Sequence, residues 1–118
     1  MHGVTDELRA ALRLRAPSAT LVPYHEVRFT NGVPEPNACH VNVEQWIKEN
    51  PQHRPVRGWL ITSGFVFDRH SLIADERGEL FDITPIQQPY RPPFLVHPGN
   101  EAEFMALPAQ IILVEIPD

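Results

Sequence analysis

At 118 residues, 42% apolar and 21% charged, the chain is long enough to bury one hydrophobic core and too apolar for intrinsic disorder, so a single domain over 1–118 is expected. The net charge of −5 comes from dispersed Asp and Glu with no Lys/Arg run, which leaves binding to a phosphate backbone, and so to nucleic acid, without electrostatic support. A lone cysteine excludes an intrachain disulfide, no window reaches membrane-span length and no basic-then-apolar leader pattern opens the sequence; a cytoplasmic protein with no membrane partner is the default.

In chain order, Thr5 reads as the N-cap of a first helix, with Asp6 and Glu7 in its first turn, Leu8, Ala11 and Leu12 on one face, and Pro17 closing it. From Leu21 to Thr30 the pattern changes to alternation, Val27 and Phe29 against Glu26, Arg28 and Thr30, which predicts a first strand ending at the Asn31-Gly32 turn. Cys39, Val43, Trp46 and Ile47 then recur at helical spacing, predicting a helix over roughly 38–49. Asn37 is its expected N-cap and Asn50-Pro51 its end.

Downstream, 58–62 reads as a buried strand, and 65–74 with 80–84 as an antiparallel hairpin joined across Asp75-Glu76-Arg77-Gly78, where Gly78 can take positive φ. The Pro-rich stretch 85–100 is expected to be irregular. Glu101 to Leu107 suggests a short helix, and 110–116 a last strand in the same sheet as 58–62. The fold class that follows is α+β, a helix packed on a mainly antiparallel β-sheet.

Three positions carry chemistry. A thiol acts as a nucleophile only when ionised, and the positive end of a helix dipole with its unpaired N–H groups favours that anion, which is where Cys39 falls. His70 interrupts an apolar strand, and Asp82 sits between Phe81 and Ile83 on the next. In antiparallel partners the parity of these positions puts both on one face, directly opposite or diagonal according to the turn. Either arrangement lets Asp82 hold one imidazole nitrogen of His70 while the other faces a thiol. A buried structural cysteine and a hydrogen-bonded core histidine are the plainer reading of each residue alone; their joint order is what favours chemistry.

Asn37-Ala38-Cys39-His40, His70-Ser71-Leu72-Ile73 and Asp82-Ile83-Thr84-Pro85 together resemble the transglutaminase-like branch of the papain-like cysteine enzyme superfamily, in which Cys, His and Asp follow in that order. The resemblance covers residues 37 to 85. It implies a papain-like or transglutaminase-like core and a hydrolase or acyltransferase acting on an amide or ester (a peptidase, amidase, deamidase or transglutaminase-like enzyme) with Cys39, His70 and Asp82 as its triad. The substrate would be a peptide, a protein side chain or a small amide, and no cofactor is called for.

Among neighbouring residues, Asn37 could supply an oxyanion donor as well as a cap, Trp59 and Tyr24 could be core or the wall of a substrate cleft, and Trp46 reads as core. His40 points about 100° from Cys39 on a helix and reads as a rim residue. Two other functions stay open: a non-catalytic peptide- or protein-binding domain of the same fold, and a metal site drawing His25, His40, His70 and His97 to Cys39, although no compact metal-ligand spacing is present.

Overall fold

The computed structural model of the chain describes residues 4–86 and 91–113. It is α+β: helix α1 (Asp6–Arg15), a 3-10 turn (Ala16–Ser18), helix α2 (Cys39–Glu49), strands β1 (Arg54–Ser63), β2 (Val66–Ala74), β3 (Leu80–Phe81) and β4 (Phe94–Val96), helix α3 (Glu101–Met105) and strand β5 (Gln110–Ile112). The hydrogen-bonded strand order is β3-β2-β1-β4, with β5 also pairing with β2. The two-residue turn between β1 and β2 permits only an antiparallel pair, and every other described pairing of strands is antiparallel too. No helix among the described residues is long and apolar enough to cross a membrane.

The chain divides into two compact units, Met1–Thr20 with Arg57–Arg69 and Pro92–Asp118, and Leu21–Val56 with His70–Arg91. In the first, α1 starts as its sequence dictates: the Thr5 side chain accepts from the Leu8 N–H at 3.1 Å, satisfying one of the orphan donors of the first turn. Leu8 and Leu12 pack with Trp59, Phe67, Leu95, Phe104, Leu107, Ile111 and Leu113. Strand β4 was not expected. The prolines around it obscure the pattern, but Leu60 pairs with Phe94 and Trp59 with Leu95, and Gly58 allows the approach, since a Cβ there would strike the Leu95 carbonyl oxygen and the Phe94 ring.

In the second unit, α2 turns Val43 into a cluster with Ile73, Phe81 and Ile83, flanked by Val27, Phe29, Trp46 and Ile47. Burial of this apolar stripe, more than any cap, makes the helix. Two expectations need correcting. The segment 21–30 forms no strand; it makes isolated bridges only, Tyr24 with Asp82 and Phe29 with Gly32, because the alternating side chains lack a continuous backbone partner. Asn37 is not the N-cap: that position belongs to Ala38, without a side-chain hydrogen bond, while Asn37 sits at φ 61°, a left-handed conformation that Asn tolerates better than most residues. Of the expected last strand, residues 114–116 lie outside the described residues.

Candidate active site

The second unit brings Cys39, His70 and Asp82 together. Cys39 is the first residue of α2. The hairpin that carries the other two closes over Glu76, Arg77 and Gly78: Gly78 takes φ 86°, its N–H reaches the Asp75 carbonyl at 2.9 Å, and the Asp75 N–H reaches the Glu79 carbonyl at 2.9 Å. Oδ1 of Asp75 also accepts from the N–H groups of Arg77 and Glu79. This turn pairs Ala74 with Leu80 and Ile73 with Phe81. Continued by one step, that register puts Asp82 opposite Leu72 and diagonal to His70 on the same face, the second of the two arrangements that parity allowed.

Asp82 is 2% exposed and held at every polar atom. Its N–H donates to the Pro23 carbonyl and its carbonyl accepts from the His25 N–H, both at 2.9 Å. Oδ1 accepts from the Thr84 N–H at 3.0 Å. Oδ2 lies 2.7 Å from His70 Nε2 and 2.9 Å from Arg91 Nη1. Arg91 also donates from Nη2 to the Thr84 carbonyl at 2.8 Å, and its guanidinium lies over the Tyr24 ring, 4.4 Å from the centroid, a cation–π contact.

A single side chain ties this carboxylate segment to the helix that begins with Cys39. Asn42, buried on α2, accepts from the Glu35 N–H at 3.1 Å and donates to the Glu35 carbonyl at 2.9 Å and to Thr84 Oγ1 at 3.0 Å. The loop before Cys39, the helix and the strand end beyond Asp82 are therefore locked through one amide, whose donors and acceptor are all used.

At the sulfur two imidazoles meet. Burial pushes the Cys39 thiol up, but hydrogen bonds to His40 and His70 and the electrostatic attraction of those rings outweigh it and bring the pKa from 9.0 down to about 5. His70 moves the other way: burial pushes it down, while the hydrogen bond and charge of Asp82, followed by those of Cys39, raise it from 6.5 to about 9. Near neutral pH the pair is a thiolate and an imidazolium, each stabilising the other, with Asp82 behind the cation.

Of the residues singled out from the sequence, Tyr24 is beside the triad through its bridge to Asp82 and its ring under Arg91. Trp59 is not a cleft wall: it is fully buried in the first unit and donates from Nε1 to His97 Nδ1 at 3.1 Å. Asn37 is exposed and precedes Cys39 by two positions, where the chain makes a left-handed turn into α2. His40 is half-buried, as a rim residue is, but it also hydrogen-bonds Cys39 and, through Nδ1, the buried Ser71 Oγ. Among the described residues no group of His, Cys, Asp and Glu could hold an ion; His97 is engaged by Trp59 and Glu103, and His25 stacks on Phe81 at 4.7 Å.

Arg91, Asn42 and Ser71 escaped the sequence reading. Signals existed for two of them: Arg91 is a lone cation in a neutral Pro-rich stretch, and Asn42 is a polar residue inside a helix, where Asn is unfavourable unless bonded. No family model, curated protein or solved structure matches the chain.

Proposed function

We propose that this chain is a small cysteine-dependent hydrolase or acyltransferase of the papain-like or transglutaminase-like kind, acting on the carbonyl of an amide or ester in a peptide, a protein side chain or a small molecule. The observation that carries the reading is the buried 2.7 Å contact of His70 Nε2 with Asp82 Oδ2 behind a thiol that hydrogen-bonds the same ring. A structural cysteine needs neither a charged partner nor a carboxylate behind it.

In this mechanism the Cys39 thiolate attacks the carbonyl carbon, the C–S bond forms and the carbonyl π pair moves onto oxygen. Backbone N–H groups at the start of α2, which have no carbonyl one turn earlier in the helix, face developing negative charge. As the tetrahedral species collapses, the C–N or C–O bond breaks and the imidazolium of His70 gives its proton to the leaving group. Neutral His70 then takes a proton from water or an acceptor amine, which attacks the thioester and returns Cys39 as thiolate beside a recharged His70. Asp82 keeps the ring oriented and compensates its charge throughout. A reducing compartment such as the cytoplasm keeps this thiol free.

Incubation with p-nitrophenyl acetate tests the reading. A burst of nitrophenolate, with one acetyl group on Cys39 by peptide mass spectrometry, is expected, and both are absent in Cys39→Ala. Acetylation at pH 6 no faster than that of free cysteine would overturn it.

A further inference from the structure

Cys39 has a second histidine that the triad does not use. His40 follows the nucleophile on α2, hydrogen-bonds its sulfur and presents Nδ1 to Ser71 Oγ. Ser71 is fully buried on β2, so this hydroxyl is a fixed partner in the interior and not a surface group that met the ring by chance. When the hydroxyl donates to Nδ1, the ring's proton sits on Nε2, which makes that N–H a donor for a thiolate. The two rings differ in what stands behind them: His70 is backed by the Asp82 carboxylate, which suits a proton carrier that alternates between charged and neutral forms. His40 is backed by a hydroxyl, which suits a donor that keeps its proton.

We propose that His40, set by Ser71, is a second catalytic residue: its N–H holds the resting thiolate and, as the C–S bond forms, moves to the carbonyl oxygen as the oxyanion donor. This rests on the acyl-transfer reading above. The step conserves protons and electrons. Negative charge begins on sulfur, and attack turns the sulfur lone pair into the C–S bond, so the sulfur no longer accepts strongly. The π pair arrives on an oxygen bonded to the same carbon, and one donor placed at the sulfur can follow the charge over that short distance without giving up its proton. When the oxygen reforms its double bond and the leaving group departs with the proton from His70, the His40 N–H is released. Thioester attack repeats the sequence, and the regenerated thiolate recaptures the donor.

Alkylation and acylation separate this role from others, because displacement of iodide from iodoacetamide develops no oxyanion whereas acetyl transfer from p-nitrophenyl acetate does. In His40→Gln, with the fold verified by circular dichroism, the plateau rate of iodoacetamide alkylation is expected within about threefold of the parent, while the first-order acetylation rate falls roughly 10²–10³-fold, the usual effect of losing one oxyanion donor. Ser71→Ala, which frees the ring without removing it, is expected to give a smaller acetylation loss and unchanged plateau alkylation. Equal losses in both reactions would make His40 a positioning residue for the thiolate and overturn the proposal, as would no loss in either. Failure of the underlying reading looks different: at pH 6 the unmodified protein itself would then neither acetylate nor alkylate faster than free cysteine, whatever residue occupies position 40.

Discussion

Asp82→Asn tests the charge relation at the centre of the site with little change of shape. A thiol pKa that falls from 9.0 to about 5 raises the thiolate fraction at pH 6 from roughly one in a thousand to about nine in ten. A less basic thiolate is also a weaker nucleophile, by ~40–100-fold over that interval for a Brønsted slope of 0.4–0.5. The net expectation is that Cys39 alkylates roughly ten- to twentyfold faster than an ordinary cysteine at pH 6, and more slowly than one above about pH 7.5. Stopped-flow alkylation by iodoacetamide across pH should therefore inflect at about 5 and stay flat until His70 titrates at about 9. In Asp82→Asn the imidazolium loses its carboxylate, so the lower inflection moves up and the upper one down; each unit of upward movement costs about a tenfold lower thiolate fraction at pH values beneath it. A single inflection in the unmodified protein between 8 and 9, or identical profiles for the two proteins, would refute the ion-pair assignment.

The same pair predicts an unusual pH dependence of stability. His70, raised from 6.5 to about 9, contributes stability that is whole below 6.5 and lost as pH rises through 9; Cys39, lowered from 9.0 to about 5, contributes stability that is whole above 9.0 and lost as pH falls through 5. Between 6.5 and 9 the two slopes cancel, so the pair's effect is confined to pH 5–6.5, where about 2 kcal/mol should be lost on acidification; urea midpoints against pH should show this step in the parent and not in Cys39→Ala. Arg91→Met removes donors from Asp82 Oδ2 and the Thr84 carbonyl but leaves the His70 contact, so alkylation at pH 6 should fall by less than in Asp82→Asn; an equal fall would make Arg91 indispensable to the carboxylate's placement. In the first unit, Gly58→Ala forces a methyl group against the Leu95 carbonyl and the Phe94 ring, and a loss of ~1–3 kcal/mol in urea unfolding is expected, with no measurable loss counting against the β1–β4 packing.

The parts of this structure legible in the sequence are those fixed by local periodicity. The stripe of Cys39, Val43, Trp46 and Ile47 gives α2 within one residue, because burying that face against Ile73 and Phe81 is what the spacing encodes. Gly78 announces the hairpin, and parity then brings His70 and Asp82 to one face whichever turn forms. What could not be read is long-range. Alternation at Val27 and Phe29 is real, yet a strand needs a backbone partner, and only the bridges at Tyr24 and Phe29 exist. Strand β4 is recognisable only from Gly58 and Trp59, which pair with it from far away in sequence. Arg91 reaches Asp82 through tertiary packing that no spacing rule anticipates. The contact of His40 with Cys39 is hidden because the angle between successive helical side chains ignores how two rings can bend toward one sulfur at the first turn.

The exposed tip Glu76-Arg77-Gly78 illustrates how a surface segment can be constrained in length while free in composition. Loop tips of this kind ordinarily accept insertions and deletions. Here the turn sets which β3 residue stands beside which β2 residue, and Asp82 lies only one step past the last paired position. Adding or removing one residue at the tip would carry Asp82 to the other face of its strand and exchange it for Phe81 or Ile83 beside His70. Glu76 and Arg77 can drift among polar residues so long as the glycine remains, but an indel there would break the contact of His70 with Asp82. Across a lineage the expected trace is a hairpin of variable side chains and invariant length.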